Sequence, residues 1–320
     1  MQAAVRWSPV AAVAGIIALL WGCSALPFDF AQGRLAQDDM PPSAPSATSG
    51  DLLYVANKGA SEGVSVLTFP QGTLVATIKQ IGSVRGICSD TSGNVWMTTS
   101  NSGSDPFHIY KFRHGGTKPV EVLNTHRYTY GCAVDPTTGN LAVISYGGSE
   151  DGVVDIWRGA HKGKPAVYYI GIPPSACAYD FSGNLFVDGA GGAGAALTEL
   201  VKGAKRFTSI SLRNNAGWTV GSVQWDGTYV TLGVGTISGS SSIYRVQLSG
   251  ERGKVVKPVH LQHLASWPHF VIVYGEIVAT QRGSAGRRIG LYKYPGGGKT
   301  LDVFSGFDHP AGMTISVARK

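Results

Sequence analysis

Charge is scarce in this chain. Charged residues make up only 15% of it, and its 27 lysines and arginines form no run dense enough for a nucleic-acid arm, so the formal net charge of +7 is dispersed and no nucleic-acid partner is expected. Cysteine is equally sparse. None of the four forms a Cys-x-x-Cys pair, which removes the close ligand spacing of a metal site, and none has the nearby histidine that a catalytic thiol needs. Glycine is what abounds: 44 residues in a sequence that is 43% hydrophobic suit many short strands joined by tight turns better than long helices.

The apolar run over residues 10–20, preceded by Arg6, is too short to span a bilayer comfortably and reads as an export signal. It ends in Leu20-Trp21-Gly22-Cys23, which resembles a bacterial lipobox with Trp21 in place of the usual small residue. The resemblance makes Cys23 the lipidation candidate, with a simply cleaved secretory signal as the alternative. Residues 1–23 are thus the signal or lipobox-like segment, and residues 24–50, ending in a Pro/Ser/Ala-rich stretch, a flexible linker.

From residue 51 a pattern recurs roughly every 40 to 45 residues, a period typical of propeller blades. Residues 86–97, 131–143 and 176–187 each read as a short apolar strand, a turn and a second strand, with Asp90, Asp135 and Asp180 followed closely by Gly93-Asn94, Gly139-Asn140 and Gly183-Asn184. The Asp is expected to cap the turn backbone and the Gly to take its positive φ. A fourth copy shortens the turn to Asp226-Gly227, and a degenerate fifth spans residues 270–279. Third and fourth strands follow each hairpin. The first strands after the linker lack an innermost partner, which residues 312–317 supply. The expectation is an all-β, six-bladed β-propeller of four-stranded blades over residues 51–320, closed by its C-terminal strand.

These hairpins resemble those of the NHL and strictosidine-synthase-like (YncE-like) propellers, a resemblance specific for fold and weak for activity. Calcium-dependent lactonases of this fold hold their metal on carboxylates and amides of the innermost strands. Here those positions carry Cys88, Cys132, Cys177, Ser222, Val271 and Met313, poor ligands for a hard cation. No metal, cofactor or catalytic residue is therefore expected. Cys132 and Cys177 occupy equivalent positions in adjacent strands and are a candidate disulfide, the other reading being small buried hydrophobes.

The best candidate site is the channel mouth. Arg85, Tyr128, Tyr130, Trp218, Trp267, His269 and His309 immediately precede or open the innermost strands, and such a lining suits a sugar, a peptide or another polar ligand with a flat apolar face. The same aromatics would otherwise wedge between blades. The turns between third and fourth strands carry basic residues in five repeats, Arg113, His114 and Lys118 among them, which would give one basic face with Glu62, Asp105, Glu150 and Asp151 in the opposite loops. The sequence thus points to an exported, monomeric cell-envelope propeller that binds a glycan, peptide or protein partner or serves as a scaffold, meeting the membrane through a lipid anchor. A lactonase- or lyase-type hydrolytic enzyme is the alternative.

Overall fold

The structure is a computed structural model that describes residues 28–29, 34–35, 50–58, 63–99, 107–146, 152–192, 194–236, 238–282 and 287–319. The export segment, Cys23 and most of the linker lie outside the described residues, as do Glu62, Asp105, Glu150 and Asp151. Phe28–Asp29 pairs with Arg34–Leu35; everything else described belongs to one all-β propeller arrangement.

Four sheets have four strands each, written from the innermost outward. They are Pro310–Ser316, Leu52–Asn57, Gly63–Thr68 and Leu74–Ile78; Val84–Ser89, Val95–Thr99, Phe107–Phe112 and Pro119–Thr125; Thr129–Val134, Leu141–Tyr146, Gly152–Trp157 and Ala166–Tyr169; and Phe270–Val273, Glu276–Thr280, Arg288–Lys293 and Asp302–Ser305. The expectation of six separate blades is corrected here, because the remaining strands form a single eight-stranded sheet. In it Pro174–Tyr179, Leu185–Gly191, Gly194–Leu200 and Thr208–Leu212 meet Arg252–Val259, Ser241–Ser249, Val230–Thr236 and Trp218–Trp225. The join is a short parallel pairing of Ser211 and Leu212 with Arg252 and Gly253, which uses backbone groups that two outer edges would otherwise leave open.

The chain's last strand pairs antiparallel with its first propeller strand, Ser316 against Leu52 and Gly312 against Ala56. The innermost strands follow one another around a closed ring, the last touching the first. Burial explains the layering. Second strands such as Val95–Thr99 are buried on both faces because neighbouring sheets cover them, whereas outermost strands such as Leu74–Ile78 are largely exposed. The core is correspondingly divided: Trp96, Ile109, Val143 and Trp157 fill one inter-sheet space, Tyr54, Val66, Met97 and Phe112 the next.

The repeated aspartates behave as turn caps. Asp90 Oδ1 accepts from the Ser92 and Asn94 amides at 2.8 and 2.9 Å, Asp180 does the same for Ser182 and Asn184, and Asp135 accepts from the Thr137 amide and from two threonine hydroxyls. Asp226 caps its shorter turn and also receives Arg245 Nε at 2.7 Å and the Tyr294 hydroxyl.

The candidate Cys132–Cys177 disulfide is not the one that forms. Cys132 bonds to Cys88, with Cα atoms 5.7 Å apart, and Cys177 is a buried free thiol whose pKa is raised, first by burial and then by Asp188. The 5.7 Å Cα separation of Cys88 and Cys132 is within bridging range. Cys88 and Cys132 lie on adjacent innermost strands, and Cys132 can satisfy only one partner. Peptide mapping of the unreduced protein should recover residues 88 and 132 in one cross-linked species, with Cys177 alkylated only after denaturation; a species linking 132 to 177 would overturn the assignment.

Candidate functional site

The innermost strands approach one another so closely that side chains are excluded at recurring positions. A Cβ on Gly86 would lie 2.5 Å from the Gly131 Cα, and one on Gly221 would lie 2.4 Å from the Pro268 carbonyl oxygen. At this tight ring five of the six innermost strands are bulged, the register slipping at Arg85, Tyr130, Ser175, Gly221 and Ala311, while Phe270–Val273 pairs without a slip. A bulge leaves one residue unpaired and re-aims its side chain. Four of these residues, Arg85, Tyr130, Ser175 and Ala311, line one cavity of about 60 Å³ at the channel mouth. Groups on the second strands hold the strand geometry there. The Gly86 amide donates to Thr98 Oγ1 at 3.0 Å, the Ala176 amide to Asp188 Oδ1 at 2.7 Å, and the His269 amide to Thr280 Oγ1 at 3.1 Å.

Of the residues expected at the mouth, Arg85, Tyr130 and His269 come together as cavity lining. Tyr128 stands beside them: its ring lies 5.3 Å from that of Tyr130, and the Arg85 guanidinium sits over it at 5.3 Å. Tyr146 and Phe107 extend this aromatic group. Trp218 instead stacks on Tyr244 at 4.4 Å and packs between two halves of the eight-stranded sheet, the wedging role. Trp267 is 65% exposed and does not line the cavity. His309 is also outside it, in a left-handed backbone position with its Nδ1 2.9 Å from Asp308 Oδ1.

Sequence reasoning missed Lys58, Ser175 and Asp188. Lys58 has its pKa lowered by burial and then by Arg85, and it contributes in turn to lowering that of His269. Burial is the larger cause for His269, whose pKa falls to about 4, so its ring is neutral at pH 7. Tyr130 is shifted upward, first by burial and then by Tyr146 and Tyr128, against a downward pull from Arg85. The mouth therefore presents two cations, a neutral imidazole and tyrosine hydroxyls around a small opening. Electrostatically it suits one anionic group, whose charge would relieve the mutual repulsion of Lys58 and Arg85. Its size admits a carboxylate and a few waters, not a whole sugar ring.

Further down, a second cavity of about 80 Å³ shares Ile87, Cys132, Cys177, Gln224 and Met313 with the first. These mostly apolar side chains form the waist of the channel. A larger cavity of about 360 Å³ lies away from the axis, between Phe186, Glu199, Trp225 and Tyr229. Among the described residues no three His, Cys, Asp or Glu side chains converge as a metal-binding group.

No family model matches the chain, and no curated protein matches it. Solved structures do. The structure of a nidogen/laminin complex has a chain superposing with a TM-score of 0.62 at 12% identity, over 84% of this chain and 99% of that one. Hydrazine synthase of Kuenenia stuttgartiensis gives 0.58 at 12%, covering 78% of this chain and 75% of its own. A functionally unknown protein from Desulfotomaculum acetoxidans gives 0.55 at 12%, covering 86% and 88%. At such identity the likeness supports the β-propeller fold and nothing finer.

Proposed function

We propose that the chain is an exported cell-envelope propeller that binds an acidic glycan, peptide or protein partner by a carboxylate seated in the channel mouth. Its eight-stranded sheet acts as two blades, making a six-bladed ring of the NHL and strictosidine-synthase-like kind, tethered through Cys23. The observation that carries the reading is the convergence of Arg85, Tyr130 and His269 on one cavity with Lys58 beside them. A binding role is supported by the similar structure, which is that of a complex between two proteins.

The neutral imidazole matters to the chemistry. His269 can donate one hydrogen bond to a carboxylate without adding a third positive charge to a crowded site, while Arg85 supplies a planar pair of donors suited to carboxylate geometry. The tyrosine rings beside them offer an apolar flank to the ligand's carbon skeleton.

The full chain, screened against arrays of uronate-containing and neutral glycans and of peptides with free or amidated C-termini, should bind the carboxylate-bearing members of one array. Arg85→Gln should weaken that binding at least tenfold, the scale of a lost charge-assisted hydrogen bond. Equal binding of charged and uncharged members, or indifference to Arg85→Gln, would retire the mouth as the site.

A further inference from the structure

We infer that the face opposite the mouth is a docking surface for an anionic phospholipid bilayer. Register places the turns between third and fourth strands at the end of the sheets away from the mouth: Ser89, Val95, Phe112 and Pro119 are successive neighbours there. The lysines and arginines of these turns are exposed, and among the described residues none of them has an ion-pair partner. Exposed carboxylates on the same turns are few, Glu251 and Asp302.

Charge alone would suit many polyanions, but four of the lysines here have an exposed aliphatic residue close by in the chain. Val120 follows Lys118, Val201 precedes Lys205, Val256 follows Lys254 and Leu301 follows Lys299; these four aliphatic side chains are 51%, 50%, 46% and 50% exposed. A rim that alternates cations with half-exposed aliphatics matches the headgroup region, where ammonium groups meet phosphates and apolar side chains reach the acyl boundary. A soluble acidic polysaccharide gives the aliphatics nothing to enter.

The exit of the N-terminal segment selects the same face. Leu52 is the neighbour of Thr68 and so stands at the end where the third-to-fourth turn lies. Gly50 is held there directly: His114 Nε2–H, in the neighbouring basic turn, donates to the Gly50 carbonyl at 2.8 Å, and its Nδ1 lies 2.7 Å from Ser316 Oγ. The chain therefore enters the propeller on that face, beside the basic turn that carries His114. A chain attached to a membrane on that side would present this face to it and turn the mouth outward.

Sedimentation of the full chain with vesicles of phosphatidylcholine alone and of phosphatidylcholine mixed with phosphatidylglycerol tests this. The N-terminal segment contributes to both, so the readout is the ratio. Anionic vesicles should bind at least tenfold more strongly at low salt, and the combined Lys118→Gln, Lys205→Gln, Lys254→Gln and Lys299→Gln variant should bring the ratio close to one at an unchanged melting temperature. Val120→Ser with Leu301→Ser should weaken anionic-vesicle binding severalfold and leave binding to soluble dextran sulfate unchanged. A ratio unaffected by the lysine changes would overturn the inference. So would serine variants that leave vesicle binding intact, which would mark the face as a general polyanion surface.

Discussion

Gly86→Val should leave little folded protein at growth temperature, and Gly86→Ala should lower the melting temperature by about 6 °C, a loss of roughly 3 kcal/mol in a domain of this size. The added Cβ meets backbone, at 2.5 Å from the Gly131 Cα and 2.9 Å from its carbonyl carbon, as well as Thr98 Oγ1 at 2.9 Å. Backbone of a neighbouring innermost strand cannot swing aside as a flexible side chain can. It is also tied through the Cys88–Cys132 bridge two residues further along Gly86's own strand. The threonine contact is the one that accepts the Gly86 amide, so moving it also costs a buried hydrogen bond. Gly139→Ala is the control: nothing lies within 4 Å of its added Cβ, and only the positive φ of 71° opposes it, at about 1 kcal/mol. Thermal unfolding of the two alanine variants checks the difference; equal losses would mean that the innermost strands do not meet as closely as described.

Stability between pH 4 and 7 should be nearly flat in the natural protein and steep in two variants of opposite sign. Asp188 is fully buried, and burial raises its pKa to about 7 against the hydrogen bonds it accepts from Ala176 and its own amide. Below the unfolded-state value near 4 its contribution is fully present, and it is lost as pH rises toward 7. His269 runs the other way. Its folded pKa of about 4 lies below the unfolded value near 6.5, so stability is lost as pH falls from 6.5 to 4, when the unfolded chain takes up a proton that the native ring refuses. The two slopes overlap and oppose. Asp188→Asn, which keeps an acceptor for the Ala176 amide, should unmask the histidine slope, with stability rising with pH. It should also gain up to about 4 kcal/mol above pH 7 relative to the natural protein. His269→Gln should unmask the aspartate slope, with stability falling as pH rises. Urea unfolding at a series of pH values reads both; parallel profiles for the two variants would show that these groups do not titrate as assigned.

Much of the fold was legible because its turns are chemical. An Asp that caps the turn and a Gly held at positive φ leave the same mark at Asp90, Asp135 and Asp180, and the missing innermost strand of the first sheet announced the closure that Ser316 and Leu52 make. The join of two outer edges into one eight-stranded sheet was not legible, since it rests on a backbone pairing of only two residues per strand at Ser211–Leu212. Which cysteines pair was likewise beyond the sequence: Cys88, Cys132 and Cys177 look alike there, and only the ring geometry separates them.

The site was legible in part. Arg85, Tyr130 and His269 stood out as polar or aromatic residues before apolar strands, and for the first two a glycine one position later, Gly86 or Gly131, was the visible trace of the bulge that aims them. Nothing marked Lys58, whose backbone amide is held by the Asp308 and His309 carbonyls far along the chain. Nor did anything separate Trp218 and Trp267 from true mouth residues, because an aromatic before a strand can wedge, line or protrude according to a half-turn of backbone. Asp188 was hidden as a lone acid in an apolar strand.

The most direct test of an anion seat at the mouth is a nuclear magnetic resonance titration of the chain with sodium glucuronate, following backbone amides and the His269 ring nitrogens, with sodium chloride at matched ionic strength as reference. Saturable shifts at Arg85, Tyr130, Ala176 and His269, absent in Arg85→Gln, are expected. Shifts confined to the lysines of the outer turns, with the mouth resonances unmoved, would contradict it.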